Sequence, residues 1–341
     1  MTKMEELLKQ QQEIVAAIEA EYERGREAAA KGEADAQYNL GVMYYKGQGA
    51  KQNFQEAMSC FKLAAEQGNE SAQINLGAMY YRGEGIEQDY VEAMHWYNVA
   101  AEKGSAHAKS KIGFMCDSGQ GIKQDYQEAL RWYRLAAKQG DVDAEYGLGQ
   151  MYENHHGVEK DDAEAVRWYK LSAAQGHADS HYRIGVIYSA GDGVKQDYAE
   201  AMRWYKLAAE KKHVDAQISI GVMFDKEQGV TQDYAEAMRW YKLAAAQGSA
   251  DGQSKMGFMN ANGKGLKQNY AEAMRWYLLA AAQDNATALS NLGFMYENGR
   301  GVDEDEAKAL MYYNKAAKKG DENAIRNIAQ IEARMAKHQE K

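Results

Sequence analysis

Eight glycines, Gly41, Gly77, Gly113, Gly149, Gly185, Gly221, Gly257 and Gly293, stand 36 residues apart without an insertion or deletion. A second series, Gly49, Gly85, Gly121, Gly157, Gly193, Gly229, Gly265 and Gly301, keeps the same step. A strict period of this size means a solenoid, in which each unit buries its apolar face only by stacking on its neighbours. The 341-residue length alone would suggest about two domains, but no shift in composition interrupts the repeat. The sequence therefore predicts one elongated all-α domain with eight helix-turn-helix repeats over residues 34–322. Segments 1–33 and 323–341, rich in Glu, Lys and Gln, are read as polar capping helices that close the two sticky ends of the stack. Proline is absent, which leaves glycine as the strong punctuation.

Within one unit, Ala72, Leu76, Met79 and Tyr80 recur at the spacing of a helical apolar stripe, which defines helix A. Ser71 sits where an N-cap is expected, with Asp35, Asp143, Asp179, Asp215, Asp251 and Thr287 as its equivalents and His107 as the poor match. The helix is expected to stop at Gly83-Glu84-Gly85, because a positive φ costs least at glycine. Helix B opens on an Asp-x-x-Glu capping box, Asp89/Glu92, repeated as Asp125/Glu128, Asp161/Glu164, Asp197/Glu200 and Asp233/Glu236. It continues through Ala93, Trp96, Tyr97, Ala100 and Ala101. All six tryptophans, Trp96, Trp132, Trp168, Trp204, Trp240 and Trp276, share one column of this helix and read as packing core rather than as a cofactor box.

The pattern Ala-x-x-x-Leu-Gly-x-Met-Tyr-x-x-Gly-x-Gly-Val-x-x-Asp-x-x-x-Ala-x-x-Trp-Tyr-x-x-Ala-Ala-x-x-Gly, nearly whole from Ala72 to Gly104, resembles the Sel1-like repeat, a relative of the tetratricopeptide repeat. The copies opening at Ser180 and Ala216 depart from it at Ile184, Ile187, Lys212, Ile220, Phe224 and Glu227 but stay legible. The resemblance implies a right-handed superhelix with helix A lining the concave side, and a non-enzymatic adaptor or scaffold role. It also implies an alternative, a bacterial immunity or inhibitor protein that neutralises a toxic effector with the same surface. Secreted members carry paired cysteines bridging each repeat, and this chain departs from them.

The net charge of -9 disfavours nucleic acid and anionic membranes, which need a cationic footprint, and favours a basic or neutral protein partner. Cys60 and Cys116 occupy non-equivalent positions in non-neighbouring repeats, so no disulfide is expected and a reduced compartment is the simplest reading. The first residues lack the apolar core of a signal peptide and no run of about 18 apolar residues occurs, so the expectation is a soluble, cytoplasmic protein without membrane insertion.

If helix A faces inward, the variable positions beside its core stripe project into a groove. The candidate partner-binding residues are Tyr38, Tyr45, Ile74, Tyr81, Phe114, Asp117, Tyr146, Gln150, Glu153, Tyr182, Asp225, Phe258, Phe294 and Glu297. Aromatic anchors beside acidic groups suit an extended or helical peptide carrying apolar and basic side chains. Charge reversal at Asp117 and Glu153 is expected to weaken such a partner and leave helicity unchanged. Phe114, Phe258 and Phe294 could equally complete the packing between neighbouring A helices. A second row, Arg131, Arg167, Arg203, Arg239 and Arg275, reads as a solvated face of i, i+3 ion pairs.

Catalytic signatures are missing. The recurring Gly-x-Gly lacks the third glycine of a nucleotide loop, and the helix after it opens on an acid that would repel phosphate. Ser59-Cys60-Phe61-Lys62 matches Ser-x-x-Lys without its partner motifs. His155, His156, His177 and His181 are the only histidine grouping, but they fall at opposite ends of a helix, so no metal or other cofactor is assigned. Asp303 to Glu306 coincide with a helix N-terminus, where acids are expected.

Overall fold

The structure is a computed structural model that describes residues 3–339; Met1, Thr2, Glu340 and Lys341 of the two end segments lie outside the described residues. All regular elements among these residues are α-helices, and their pairing is that of an α-solenoid. They form two compact units, Met1–Gln175 and Gly176–Lys341. The first holds α1 (Lys3–Ala30), then the A/B pairs α2 (Ala34–Lys46) and α3 (Phe54–Glu66), α4 (Glu70–Arg82) and α5 (Tyr90–Glu102), α6 (Ala106–Ser118) and α7 (Tyr126–Ala137), α8 (Val142–Asn154) and α9 (Asp162–Ala174). The second holds α10 (Ala178–Ala190) and α11 (Tyr198–Glu210), α12 (Val214–Lys226) and α13 (Tyr234–Ala246), α14 (Ala250–Asn262) and α15 (Tyr270–Ala281), α16 (Ala286–Glu297) and α17 (Glu306–Ala317), then α18 (Glu322–Gln339). Within each unit helix A packs on its own helix B, and helix B packs on the next helix A. Neighbouring A helices also meet, α6 with α8 in the first unit and α14 with α16 in the second.

The first glycine series turns out to lie in the middle of helix A, where it seats an aromatic ring of helix B. A Cβ built on Gly77 would fall 2.8 Å from Tyr97 Cε1, on Gly149 2.4 Å from Tyr169 Cε1, and on Gly221 2.5 Å from Tyr241 Cε1. In the first pair Phe61 plays the same part against Gly41. Glycine inside a helix costs about 1 kcal/mol relative to alanine, and burial of an aromatic ring offsets this. Tyr97, Tyr133, Tyr169, Tyr205, Tyr241, Tyr277 and Tyr313 are accordingly the buried aromatic column of helix B. The tryptophans beside them are half-buried, and Trp96, Trp132, Trp168, Trp240 and Trp276 pack against the core from its margin. Two of them have polar work at the surface: Trp204 Nε1 donates to Glu200 at 2.7 Å and Trp240 Nε1 to Glu236 at 3.0 Å.

The caps of helix A also differ from expectation. They sit two residues earlier, at Asn69, Ser105, Asp141, Ser249 and Asn285, with His177 and His213 capping through imidazole nitrogen. The residues expected to cap instead occupy the first helical turn, where the aspartates among them still favour the helix dipole. There they tie repeats together. Asn69 donates to Asp35 at 2.8 Å, Asn285 to Asp251 at 2.7 Å, and His213 Nε2 lies 3.0 Å from Asp179.

Helix B starts as expected, with Asp89 accepting from the N–H groups of Val91 and Glu92. The reciprocal half of the capping box is absent here because the Asp89 N–H donates to the Tyr80 carbonyl at the end of helix A, 2.9 Å away. Helix A ends at left-handed Gly83 (φ 70°), as expected, and His155 and Glu227 adopt the same conformation without glycine.

At the amino end, α1 packs on α2, with Ala29 buried and the Tyr22 ring edge-on to Tyr44 at 5.9 Å. Its first half is less polar than its composition implies, because Met4, Leu7 and Ile14 are exposed.

Two outcomes follow from the glycine seats. Gly149→Ala should lower stability by about 1–3 kcal/mol despite alanine's better helix propensity, since the methyl meets the Tyr169 ring; a melting curve unchanged or shifted upward would contradict it. Burial raises the phenol pKa of Tyr97, Tyr133, Tyr241 and Tyr277 above the ordinary value. A raised folded pKa means that the stabilisation is complete below about pH 10 and is lost as pH climbs from there toward the folded value. The melting temperature should therefore fall above about pH 10, with tyrosinate absorbance from these rings appearing together with the loss of helical circular dichroism.

Candidate functional site

In the first unit, α2, α4 and α6 enclose a groove of about 660 Å³. Each helix presents the positions flanking its core stripe, so the apolar lining comes from Tyr38, Val42, Ile74, Ala78, Tyr81 and Phe114. Tyr38 leans on Phe61 at 5.8 Å, Tyr45 meets Phe54 edge-on at 5.3 Å, and Tyr81 meets Phe114 edge-on at 6.2 Å. Phe114 itself is 45% exposed, too open for a residue that only completes packing.

Besides Asn75, the polar lining is Lys46, Arg82, His107 and Lys111 against one carboxylate, Glu84. Glu84 accepts from Tyr45 Oη at 2.9 Å and lies 3.7 Å from Arg82. Burial, and then the bond to Glu84, push the Tyr45 phenol above its ordinary range. Lys111 reaches Asp143 at 2.7 Å and His107 lies 3.6 Å from Asp141. Burial alone would raise the Asp141 carboxyl, but bonds from His107, the Ala144 N–H and Ser110 outweigh it and hold the group below the usual range.

Of the expected site residues, Tyr38, Tyr45, Ile74, Tyr81 and Phe114 are brought together in this groove. Asp117, Tyr146, Gln150 and Glu153, in the same unit, are outside its lining. Asp117 lies 3.1 Å from His156 Nδ1, Glu153 accepts from Tyr169 Oη at 2.6 Å, and Gln150 donates to Tyr146 Oη at 3.3 Å. In the second unit Phe258 and Phe294 line a smaller cavity of about 130 Å³ with Arg300. Asp225 is buried against Lys264 at 2.9 Å, Glu297 binds Tyr313 and Arg334, and Tyr182 stacks on His213 at 4.6 Å.

These contacts reveal an arrangement that sequence reasoning missed. In four repeats the last variable position of helix A bonds the middle residue of the next A-to-B loop, 39 residues on: Tyr45 to Glu84, Tyr81 to Gln120, Asp117 to His156 and Asp225 to Lys264. The donor–acceptor complementarity at a fixed offset of 39 is the signal that the sequence holds; taken locally, the loop residues read as turn chemistry alone. Asp117 and Asp225 are thereby engaged within the protein, and Glu153 and Glu297 are engaged by Tyr169 and Tyr313, while the groove is lined by the cations Lys46, Arg82 and Lys111. The row of arginines behaves as expected, with Arg131, Arg167, Arg203, Arg239 and Arg275 each 2.9–3.4 Å from the glutamate three residues before.

Cys60 and Cys116 are free and buried, and burial pushes both thiols up to about 11. No group of three or more His, Cys, Asp or Glu among the described residues is arranged to hold a metal. No helix among them is long and apolar enough to cross a membrane.

Because Asp117 is engaged, its reversal has a structural cost that the stripe alone did not suggest. Burial raises the Asp117 carboxyl pKa and His156 partly opposes the shift. Asp117→Lys should set an ammonium against His156 and cost about 1–3 kcal/mol, read as an earlier transition in denaturant; an unchanged transition would mean that the pair contributes nothing.

The whole repeat region matches the Sel1 repeat family model in eight consecutive segments, from 34–69 through 286–321. The chain is similar to a protective antigen of uropathogenic Escherichia coli strains with an SLR fold, at 34% identity over 92% of this chain and 67% of that one, with a TM-score of 0.73. It is also similar to a Sel1 repeat protein from Oxalobacter formigenes, at 32% identity over 91% of this chain and 89% of that one, with a TM-score of 0.64. An immunity protein from Pseudomonas aeruginosa, at 17% identity over 64% and 83% of the two chains and a TM-score of 0.41, is too remote to bear on function. No curated protein matches the sequence. With its repeats matched end to end and two solved relatives above 30% identity, the chain belongs to the Sel1 repeat family.

Proposed function

We propose that this protein is a non-enzymatic adaptor whose first unit holds a segment of a partner protein in the groove between α2, α4 and α6. Sel1 repeats generally mediate protein–protein interactions, and the family is generally one of scaffolds. The observation that carries the reading to a specific surface is the 660 Å³ groove with Phe114, 45% exposed, at its edge. Its volume falls in the range of about 300–1,000 Å³ typical of ligand sites, and its centre is apolar with a charged margin, the arrangement in which a few aromatic anchors dominate affinity.

Repeated surface geometry brings no acid, base and nucleophile into convergence at this groove, which supports binding over catalysis. The test is affinity capture from cells that express the protein, using the full chain and its Phe114→Ala and Ile74→Asp variants. Leu171→Ala, which alters an exposed residue of α9 outside the groove, serves as control. The partner captured by the parent and the control should be lost or weakened about tenfold or more in the groove variants. Equal recovery by all four proteins would remove the groove from the function. If the recovered partner is a toxic effector whose activity the chain suppresses, the same surface serves inhibition rather than scaffolding.

A further inference from the structure

The chain carries a net charge of -9, yet the groove is lined by Lys46, Arg82, His107 and Lys111 with Glu84 as its only carboxylate. That carboxylate is already engaged by Tyr45 and Arg82. Lys46, exposed at the last turn of α2, has no ion-pair partner among the described residues. Lys111 is partly neutralised by Asp143, which lies outside the lining. Among the residues that line the groove, cations therefore outnumber carboxylates, opposite to the balance of the whole molecule.

The second unit shows what becomes of similar aromatic positions when the chain supplies its own cation. Six residues after Phe258 and Phe294, Lys264 and Arg300 lie over those rings at 5.1 and 4.7 Å. In the first unit the residue six after Phe114 is Gln120, which accepts a hydrogen bond from Tyr81 and brings no charge to the ring. Phe114 is left open in the same groove that Lys46, without an ion-pair partner among the described residues, and Arg82 also line.

Building on the reading of this groove as the partner site, we propose that its occupant is an acidic segment of a partner protein in which Leu, Ile or Phe side chains are interspersed with Asp or Glu. The apolar side chains enter between Val42, Ile74 and Phe114, and the carboxylates meet Lys46, Arg82 and Lys111. A basic amphipathic segment, which the stripe of acids in the sequence suggested, would place its ammonium groups against these three cations, and like charges in a partly desolvated groove discriminate strongly. A nucleic acid would meet the same cations but also the net negative charge of the rest of the molecule.

The experiment applies the labelled full-length chain to an array of random-sequence peptides. Hits are remeasured in solution by fluorescence anisotropy against the parent, Lys46→Glu, Lys46→Glu/Lys111→Gln and Phe114→Ala, each checked for an unchanged thermal melt. Lys46→Glu disturbs no ion pair of the described residues, so it stays interpretable if the double variant unfolds. The expected hits are enriched in Asp and Glu between apolar residues. They bind more weakly as salt rises, and lose about tenfold in affinity with the charge variants.

Hits enriched in Lys or Arg would overturn the proposal. So would affinity that survives both charge variants but is lost in Phe114→Ala, an outcome that leaves the groove itself standing. Displacement of the acidic peptides by a single-stranded oligonucleotide at comparable concentration would also overturn it, in favour of a polyanion site. An absence of hits, or hits indifferent to Phe114→Ala, would instead sink the groove as the partner site.

Discussion

The contact on which each repeat depends is an aromatic ring of helix B lying flush against a glycine in the middle of helix A. A methyl group in place of the Gly149 hydrogen would stand 2.4 Å from the Tyr169 ring, and the other seats are nearly as tight. This closeness lets a helix pair of about 13 residues per helix bury a full tyrosine although its other core residues are mostly alanine, methionine and leucine. Isolated helices of such length are marginal in water, so their order comes from this packing rather than from propensity. The second contact class is polar and runs between repeats: cap to first-turn acid, and helix A end to the following loop. Together they fix the spacing of the A helices, and the spacing of α2, α4 and α6 is what opens a groove.

Much of this was legible. The period, the helix pairs, the helix B caps and the exposed arginine row all have local causes, namely apolar spacing, Asp before a helix and charges three residues apart. Five of the expected groove residues, Tyr38, Tyr45, Ile74, Tyr81 and Phe114, do share one cavity, because they occupy equivalent positions on neighbouring A helices.

Asp117 and Asp225 illustrate what was not legible. Their column marked them as exposed acids for a basic partner, whereas each is half-buried or buried and satisfied by a loop residue 39 positions on. Which of two plausible partners a carboxylate finds, solvent and ligand or a neighbouring loop, depends on the sub-ångström approach of two repeats. The caps of helix A failed for a similar reason. Ser, Asp and Asn suit both the cap and the first turn, and only backbone dihedrals tell the two positions apart.

Taken alone, the sequence determined that the chain is an α-solenoid of eight 36-residue repeats, because periodic burial can be read from residue spacing without coordinates. It also placed both glycine series, one inside helix A and the other in the turn after it, but not that the first is a seat for a ring of helix B. Only the tertiary structure decided which side chains remain free once the repeats have bonded to each other. It engaged the acids of the stripe inside the protein and placed Lys46, Arg82 and Lys111 in the same lining as an open Phe114, so that cations outnumber carboxylates in the groove. Charge at a surface is what remains after internal pairing, and that pairing is made between residues far apart in sequence.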